Sequence, residues 1–247
     1  MGIHYLHEIK RTPPLETLIA HAGGSIYGIP YTNSLEALNN SYMNGFKLIE
    51  LDFHWTTDGY PVCIHDWDST PRWLFMNTSR QYSLEEFLNK DTLLNLTLLD
   101  LNRLEQWLIF HPSIYIIADI KKDYIRLLKY IKDHHPKIQH KFIPHLYSFH
   151  DYEYIRYLGY SYVIPALYNL ATSDTSLFHF LEGNEVFAVS MPLLRALTLL
   201  PRNLYYLNVP SYAHTINFNK TLSTLKANKV TGVYTDYLRP NSIQSIR

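Results

Sequence analysis

The sequence predicts an α/β protein folded as a (β/α)8 TIM barrel of parallel strands. Apolar, strand-like runs alternate with helix-like runs from one end of the chain to the other, as in a parallel sheet covered by helices. The length of 247 residues is close to the about 250 residues of a typical barrel. Several runs end in His, Asp or Glu, and such strand ends are where a barrel assembles its active site. An open doubly wound sheet is the alternative, but no glycine-rich dinucleotide turn follows the first run.

Eight runs are predicted to be the barrel strands. They are residues 17–23, 47–55, 114–121, 142–148, 162–168, 185–190, 211–216 and 230–236. The first helix is predicted to begin after Asn33 or Ser34, which can cap its free N–H groups, and to end at Gly45. Apolar residues at helical spacing predict further helices over 101–110, 123–133, 151–158 and 222–228.

Two segments interrupt the alternation. Thr57-Asp58-Gly59-Tyr60 is a turn signal between two extended runs, so the chain is expected to leave the second strand, turn and return carrying His65. Residues 68–112 are too many for an ordinary strand-to-helix connection. They predict a small insertion over the rim, between the second and third barrel strands, in a single domain that spans residues 1–247.

Composition narrows the possible partners and the location. Lys plus Arg and Asp plus Glu both number 22, which argues against a nucleic-acid-binding surface. The one cysteine, Cys63, excludes an intramolecular disulfide. The N-terminus does not resemble a secretory signal, and no stretch approaches the about 20 apolar residues of a membrane span. We therefore expect a cytoplasmic protein; peripheral membrane contact and the oligomeric state stay open.

Three acids are candidate metal ligands. Glu50 and Asp52 share one face of the second strand because side chains alternate along a strand, and Asp119 ends the third. Carboxylates crowded together are most simply explained by one divalent cation, and an all-oxygen set suits Mg²⁺, Ca²⁺ or Mn²⁺ better than Zn²⁺. The alternative is a set of structural acids that form salt bridges with Lys121 or an arginine.

Two histidines are candidate acid/base catalysts. His21 ends the first strand and His65 ends the returning run. An isolated histidine is more often structural, but both lie beside the acids, and imidazole exchanges protons near neutral pH. Such a pair could split a metal-bound phosphodiester, one histidine deprotonating the attacking oxygen and the other protonating the leaving alkoxide. Lys121 would help to offset the developing negative charge.

Four motifs in the first quarter of the chain occur in a characteristic order. They are His21-Ala22-Gly23, Asn33-Ser34-Leu35-Glu36-Ala37, Glu50-Leu51-Asp52, and the segment from Thr56 to Asp66 with its Asp-Gly and Ile-His-Asp. In this order they resemble the glycerophosphodiester phosphodiesterase family. Weaker matches follow at Asp119-Ile120-Lys121, Ser148-Phe149, 214–217 and Thr235-Asp236, so the resemblance covers roughly residues 17–240 and is strongest over 17–66.

The resemblance implies a TIM barrel that binds one divalent metal ion, often Ca²⁺ or Mg²⁺. It implies hydrolysis of a glycerol phosphodiester to sn-glycerol 3-phosphate and an alcohol. The family's two histidines map to His21 and His65. Its metal acids map to Glu50, Asp52 and Asp119, and its phosphate-binding lysine maps to Lys121. His214 matches a position that often forms part of the substrate wall.

Three departures from the family pattern bear on the substrate. Ala22 replaces an arginine that would contact phosphate, Thr32 replaces a glutamate, and Asp119 replaces a longer glutamate. The first two changes are interpreted as one coordinated change of a subgroup. The expected substrate is a small or polymeric phosphodiester, glycerophosphodiester-like or based on a polyol phosphate. The alternatives are a cyclising, phospholipase-like enzyme and a non-catalytic barrel that binds a phosphate ligand.

Overall fold

The computed structural model describes residues 12–120 and 122–240. Within these ranges the strands in chain order are β1 (Leu18–Ala20), β2 (Leu48–Trp55), β3 (Pro61–Cys63), β4 (Tyr115–Asp119), β5 (Phe142–Leu146), β6 (Ile164–Pro165), β7 (Val189–Pro192), β8 (Ser211–His214) and β9 (Gly232–Thr235). The α-helices are α1 (Leu35–Met43), α2 (Thr70–Leu74), α3 (Leu84–Leu88), α4 (Leu101–Phe110), α5 (Tyr124–His134), α6 (Tyr152–Tyr157), α7 (Asp174–Leu181), α8 (Leu193–Ala196), α9 (Leu200–Tyr206) and α10 (Asn219–Ala227).

All strands except β3 form a nearly closed parallel barrel. Their order is β6-β5-β4-β2-β1-β9-β8-β7. The two end strands approach each other through a parallel bridge between Ala166 and Ser190, and the Leu167 N–H donates to the Ser190 carbonyl at 2.9 Å. The predicted (β/α)8 TIM barrel is confirmed. Each predicted strand region overlaps one barrel strand, although β7 begins at Val189 and ends at Pro192, beyond the predicted 185–190.

The strand β3 forms the predicted hairpin with β2. The two strands are antiparallel, with Phe53 opposite Cys63. Gly59 supplies the positive φ of 82° at the turn, a conformation that glycine adopts without strain. The hairpin carries the chain back along β2, so that the Ile64 N–H donates to the Asp52 carbonyl at 3.1 Å and His65 follows beside the acids of the rim.

The predicted insertion between the second and third barrel strands packs into a small core that it shares with α1 and β3. After β3 the chain forms α2 and α3 before it reaches α4. Four aromatic rings meet there with centroids about 6 Å apart. Phe75 packs edge-on against Tyr82 and Phe87, and Trp67 contacts the same two rings. Edge-to-face packing of this kind adds to the stabilisation that burial gives. The insertion is therefore a packed element that borders the rim.

Side-chain alternation gives the barrel interior two layers. Near the amino ends of the strands, an apolar plug closes the barrel; it contains Ile19, Leu48, Tyr115, Ile117, Ile143, Ile164, Phe187, Ala188, Tyr212 and Tyr234. Two residues further along a strand, the side chain points to the same face. Two residues after Ile19, Leu48 and Ile117, the chain has His21, Glu50 and Asp119, respectively. The polar layer therefore lies on top of the plug, at the carboxyl end.

The first helix begins as predicted. The Ser34 hydroxyl accepts a hydrogen bond from the Ala37 N–H at 3.2 Å, which satisfies a donor that the helix cannot. The helix ends at Met43, and Gly45 follows with a φ of 89°. In the ranges that the structure describes, no helix has both the length and the apolar character needed to cross a bilayer.

Candidate active site

The three predicted metal acids come together at the carboxyl end of the barrel. Glu50 and Asp52 lie on β2, and β2 pairs with β4 so that Asp52 is opposite Asp119. One carboxylate oxygen from each residue lies within 4.8 Å of the others. All three side chains are buried. We call Glu50, Asp52 and Asp119 the acidic cluster.

The electrostatics of the acidic cluster favour a cation. Burial raises the pKa of Asp52, and the neighbouring Asp119 carboxylate raises it further, while His65, His21 and Asn33 act in the opposite direction. Buried carboxylates this close repel one another unless a proton or a cation lies between them. The donors are all oxygen atoms, as hard divalent ions require, and their spread matches oxygens that share one ion. The residues present therefore fit a Ca²⁺, Mg²⁺ or Mn²⁺ ion.

Two residues of the loop between β1 and α1 hold the acids in place. The Ala22 N–H donates to Glu50 Oε2 at 2.7 Å. The Asn33 amide donates to Asp52 Oδ2 at 3.0 Å, and its oxygen accepts from the Asp52 N–H at 3.0 Å. Ala22 and Asn33 have φ values of 49° and 48°, in the left-handed region that costs most residues energy. The loop is thus bent so that its polar groups face the cluster.

His21 is anchored by an acid from the far end of the chain. Its Nδ1 lies 2.9 Å from Asp236 Oδ1, and the Asn217 amide donates to Asp236 Oδ2 at 2.8 Å. A carboxylate can only accept, so Nδ1 carries the proton and Nε2 is the basic nitrogen. This Nε2 lies 4.0 Å from Glu50 Oε2, beside the acidic cluster.

His65 is anchored by the residue that follows it. Its Nδ1 lies 2.7 Å from Asp66 Oδ2. Burial alone would raise the pKa of Asp66, but hydrogen bonds from Ser69, His65 and Thr70 hold that pKa well below its usual value. Asp66 therefore stays ionised and orients the ring, which leaves Nε2 for proton exchange with a bound molecule.

Tyr31 lies between the two histidines. Its ring meets His21 edge-on at a centroid distance of 4.8 Å and His65 at 4.9 Å. Burial raises the pKa of Tyr31 to about 12, with further contributions from Asp236 and Asp52. Its hydroxyl is therefore protonated at neutral pH and can donate to an anion. Sequence reasoning missed Tyr31 because it lies in an irregular loop, without strand or helix periodicity.

A tyrosine and histidine network holds Asp119 on the opposite side of the cavity. The Tyr168 hydroxyl donates to Asp119 Oδ2 at 2.7 Å, and the Tyr147 hydroxyl donates to Oδ1. His145 lies between Tyr168 and Tyr234, at 3.2 Å and 3.0 Å from their oxygens. Burial and the Asp119 charge raise the pKa values of Tyr147 and Tyr168 well above the usual value, so both hydroxyls remain donors. Counting every second residue from Ile143 would have pointed to His145 and Tyr147.

The remaining predicted residues have different outcomes. His214 lies at the cavity, with its ring 4.5 Å from that of Tyr168. Lys121, the predicted phosphate ligand, lies outside the described residues. Ala22 and Thr32, at the positions of the missing arginine and glutamate, are both buried.

These groups surround one cavity of about 160 Å³ inside the rim. It is lined by His21, Tyr31, Glu50, Asp52, His65, Asp119, His145, Tyr168, His214, Thr215 and Tyr234. Carboxylates suited to a cation share this cavity with two imidazoles that are each held by an aspartate. A parallel barrel with proton-transfer groups around an acidic cluster at the carboxyl ends of its strands is the arrangement of a barrel hydrolase.

Comparison with known families agrees with this class. The sequence model of the glycerophosphoryl diester phosphodiesterase family matches residues 21–153, which is just over half of the chain. The chain belongs to this family and is a phosphoric diester hydrolase. The match begins at His21 and includes the acidic cluster, His65 and Asp66. No curated protein matches the chain in sequence.

Solved structures share the fold. A glycerophosphodiester phosphodiesterase from Thermotoga maritima has 20% identity and a TM-score of 0.68, over 94% of this chain and 98% of that one. One from Parabacteroides distasonis has 19% identity and a TM-score of 0.71, over 93% and 95%. An Oleispira antarctica phosphodiesterase, solved with the product sn-glycerol-3-phosphate, has 18% identity and a TM-score of 0.71, over 93% and 96%.

Proposed function

We propose that this protein is a metal-dependent hydrolase of glycerophosphodiester-like or polyol-phosphate substrates, and that His21 and His65 are its acid/base pair. The observation that carries the proposal is the single cavity bordered by both histidines and the acidic cluster. Each histidine has Nδ1 engaged by an aspartate. This arrangement supports proton transfer on two sides of one bound phosphate.

Glu50, Asp52 and Asp119 would hold one divalent ion. When bound, the ion would polarise a phosphoryl oxygen and stabilise negative charge as it develops there. The chain keeps the donors ready for this task through the Ala22 N–H, the Asn33 amide and the Tyr168 hydroxyl. These hydrogen bonds orient the carboxylates, as outer partners of metal ligands do elsewhere.

The two histidines would move the protons of the reaction. Nε2 of one accepts the proton of the oxygen that attacks phosphorus. Nε2 of the other donates a proton to the alcohol oxygen as its bond to phosphorus breaks. Asp236 and Asp66 stabilise the imidazolium forms and fix the ring orientations. Neither aspartate touches the reacting atoms.

Neutral donors can replace part of the phosphate contact that an arginine at position 22 would make. Tyr31 lines the cavity with its hydroxyl protonated, and the family resemblance adds Lys121 as a cation. A glycerol phosphate product in the structural relative from Oleispira antarctica supports a glycerol phosphate half in the substrate here. We therefore retain the glycerophosphodiester as the first substrate to test.

The test is a phosphodiester panel with the wild-type protein. Glycerophosphodiesters, lysophospholipids and glycerol-phosphate polymers are incubated with Ca²⁺, Mg²⁺, Mn²⁺ or EDTA, and the products are identified by phosphorus NMR. His21→Ala is the blank, and His179→Ala, on an exposed helix position, is the matched control. We expect metal-dependent release of sn-glycerol 3-phosphate by the wild type and by His179→Ala only. A cyclic phosphate as the final product would favour the cyclising enzyme, and tight binding without turnover would favour the non-catalytic barrel.

A further inference from the structure

A second cavity lies beside the catalytic one. This apolar groove, of about 310 Å³, shares Tyr31 and His65 with the catalytic cavity. Its other apolar walls are Ile29, Pro30 and Trp73. The acidic cluster and His21 do not line it. A molecule that is bound through its phosphate at the acidic cluster can therefore extend past Tyr31 and His65 into the groove.

The chemistry of the groove suits hydrocarbon. Its polar lining, apart from the two shared residues, consists of the hydroxyl residues Ser69 and Thr70. The Ser69 hydroxyl is already used as a donor to Asp66 at 2.6 Å. No Asp, Glu, Lys or Arg lines the groove among the described residues. Apolar pockets with few polar groups bind apolar ligand surface.

A third cavity at His65 has the opposite character. It has a volume of about 900 Å³ and is lined by acids and bases that include Asp58, Asp123 and Arg126. It shares only His65 with the catalytic cavity. The apolar groove shares both His65 and Tyr31, so it is the more direct continuation of the site.

We infer that the groove binds the leaving alcohol of the substrate, and that this alcohol carries an alkyl or acyl chain. The inference rests on the proposed function. His65 is then the proton donor, because the leaving oxygen lies at the entrance to the groove, which His65 borders. The bond between phosphorus and that oxygen breaks, and the electron pair stays on the oxygen, which takes the proton from His65 Nε2. The attacking oxygen of water or of a substrate hydroxyl forms the new bond to phosphorus and gives its proton to His21 Nε2.

The test compares two esters of sn-glycerol 3-phosphate, the ethyl and the octyl ester. Both leaving groups are simple primary alcohols of similar basicity, so a difference between them reports binding of the chain. Each methylene that becomes fully buried raises kcat/KM by about fourfold. We expect the wild type to prefer the octyl ester by about tenfold or more, below its micellar concentration, and to release sn-glycerol 3-phosphate and octanol.

Variants of the groove locate the effect. Trp73→Ala is expected to abolish most of the preference for the octyl ester, measured as the ratio of kcat/KM for the octyl ester to kcat/KM for the ethyl ester. Ile29→Ala is a second variant that removes a smaller side chain from the groove, and circular dichroism shows whether each variant is folded. Met76→Ala is the control, because Met76 is an exposed apolar residue of the same insertion that does not line the groove.

The outcomes separate this inference from the proposed function. Equal kcat/KM for the two esters, release of octyl phosphate, or a preference that Met76→Ala removes as fully as Trp73→Ala would each overturn the groove assignment. A preference for glycerophosphocholine over the octyl ester would also overturn it. In all these cases metal-dependent turnover that is lost in His21→Ala would leave the proposed function standing.

Discussion

The two histidines of the site are held in different ways. His21 ends a barrel strand, and its partner Asp236 lies at the end of the neighbouring strand, 215 positions away in the chain. His65 follows a hairpin, and its partner Asp66 is the next residue. The side chains of the first pair are 15% and 6% exposed, and those of the second are 33% and 22% exposed. The barrel orients one histidine through strand pairing, whereas a local loop orients the other.

The two histidines also differ in how firmly the surrounding structure holds them. The pair of His21 and Asp236 is surrounded by paired strands and by Asn217, so its geometry is fixed by the fold. His65 borders the catalytic cavity and two further cavities, and Asp66 borders one of those two. With the roles inferred above, the base is held by the barrel and the acid lies where the groove would receive the leaving alcohol.

The largest expected effect is the loss of either histidine. His21→Ala and His65→Ala should each lower kcat by about 10²- to 10⁴-fold, because each removes one proton transfer. Circular dichroism should show an unchanged fold, since both side chains are at the cavity surface. Steady-state kinetics against His179→Ala checks the result. Retention of wild-type turnover by either variant would remove that histidine from the mechanism.

The next largest effect is expected on metal binding when one acid of the acidic cluster loses its charge. Glu50→Gln keeps the size of the side chain but removes a charge beside His21. We expect it to weaken metal binding by more than the about 10- to 100-fold that losing an outer partner costs. Calorimetric titration of EDTA-treated protein measures the affinity. An unchanged affinity would mean that the acids are structural, as in the salt-bridge alternative.

Replacing each aspartate by asparagine tests the difference between the two histidines. In the Asp236→Asn variant, the asparagine amide can donate to His21 Nδ1. The ring proton would then lie on Nε2, the nitrogen that should act as the base. We therefore expect kcat to fall by about 10²-fold or more. Asp66→Asn should cost only about 10-fold, because water can reach the more exposed His65 ring and support the charged form. Equal losses in the two variants would contradict the distinction between a fixed and an adaptable histidine.

The smallest effect is expected for the Tyr31 hydroxyl. Tyr31→Phe keeps the ring contacts with both histidines and removes one neutral donor, which should raise KM by a few-fold, about the worth of one hydrogen bond. Since the pKa of Tyr31 is about 12, its hydroxyl does not titrate at neutral pH. The shape of the pH–rate profile below pH 10 should therefore match that of the wild type, and a changed shape would show that the hydroxyl transfers a proton.

The features that could be predicted from the sequence are those that depend on residues close together in the chain. Each barrel strand is a short apolar run, and Glu50, Asp52 and Asp119 follow from the ends of two such runs. The hairpin followed from an Asp-Gly turn. The Asp66 contact of His65 is likewise local, because the two residues are adjacent.

The parts that could not be predicted depend on register and on loops. The contact between Asp236 and His21 is one example, since nothing local in the sequence connects the two residues. The parallel pairing of β1 with β9, with Ala20 beside Thr235, brings them together. Tyr168 reaches Asp119 from a segment with no regular structure. Such partners become visible only when the barrel closes.

A metal titration followed in parallel by binding and by turnover shows whether the acidic cluster and the two histidines form one active site. Protein stripped with EDTA is titrated with Ca²⁺, Mg²⁺ or Mn²⁺, and a glycerophosphodiester is the substrate. We expect turnover to disappear on stripping and to return with the same metal dependence as binding. We also expect His65→Ala to bind the ion with unchanged affinity and to stay inactive. Full turnover by the stripped protein, or by His65→Ala, would contradict a metal-dependent mechanism with His65 as a proton-transfer group.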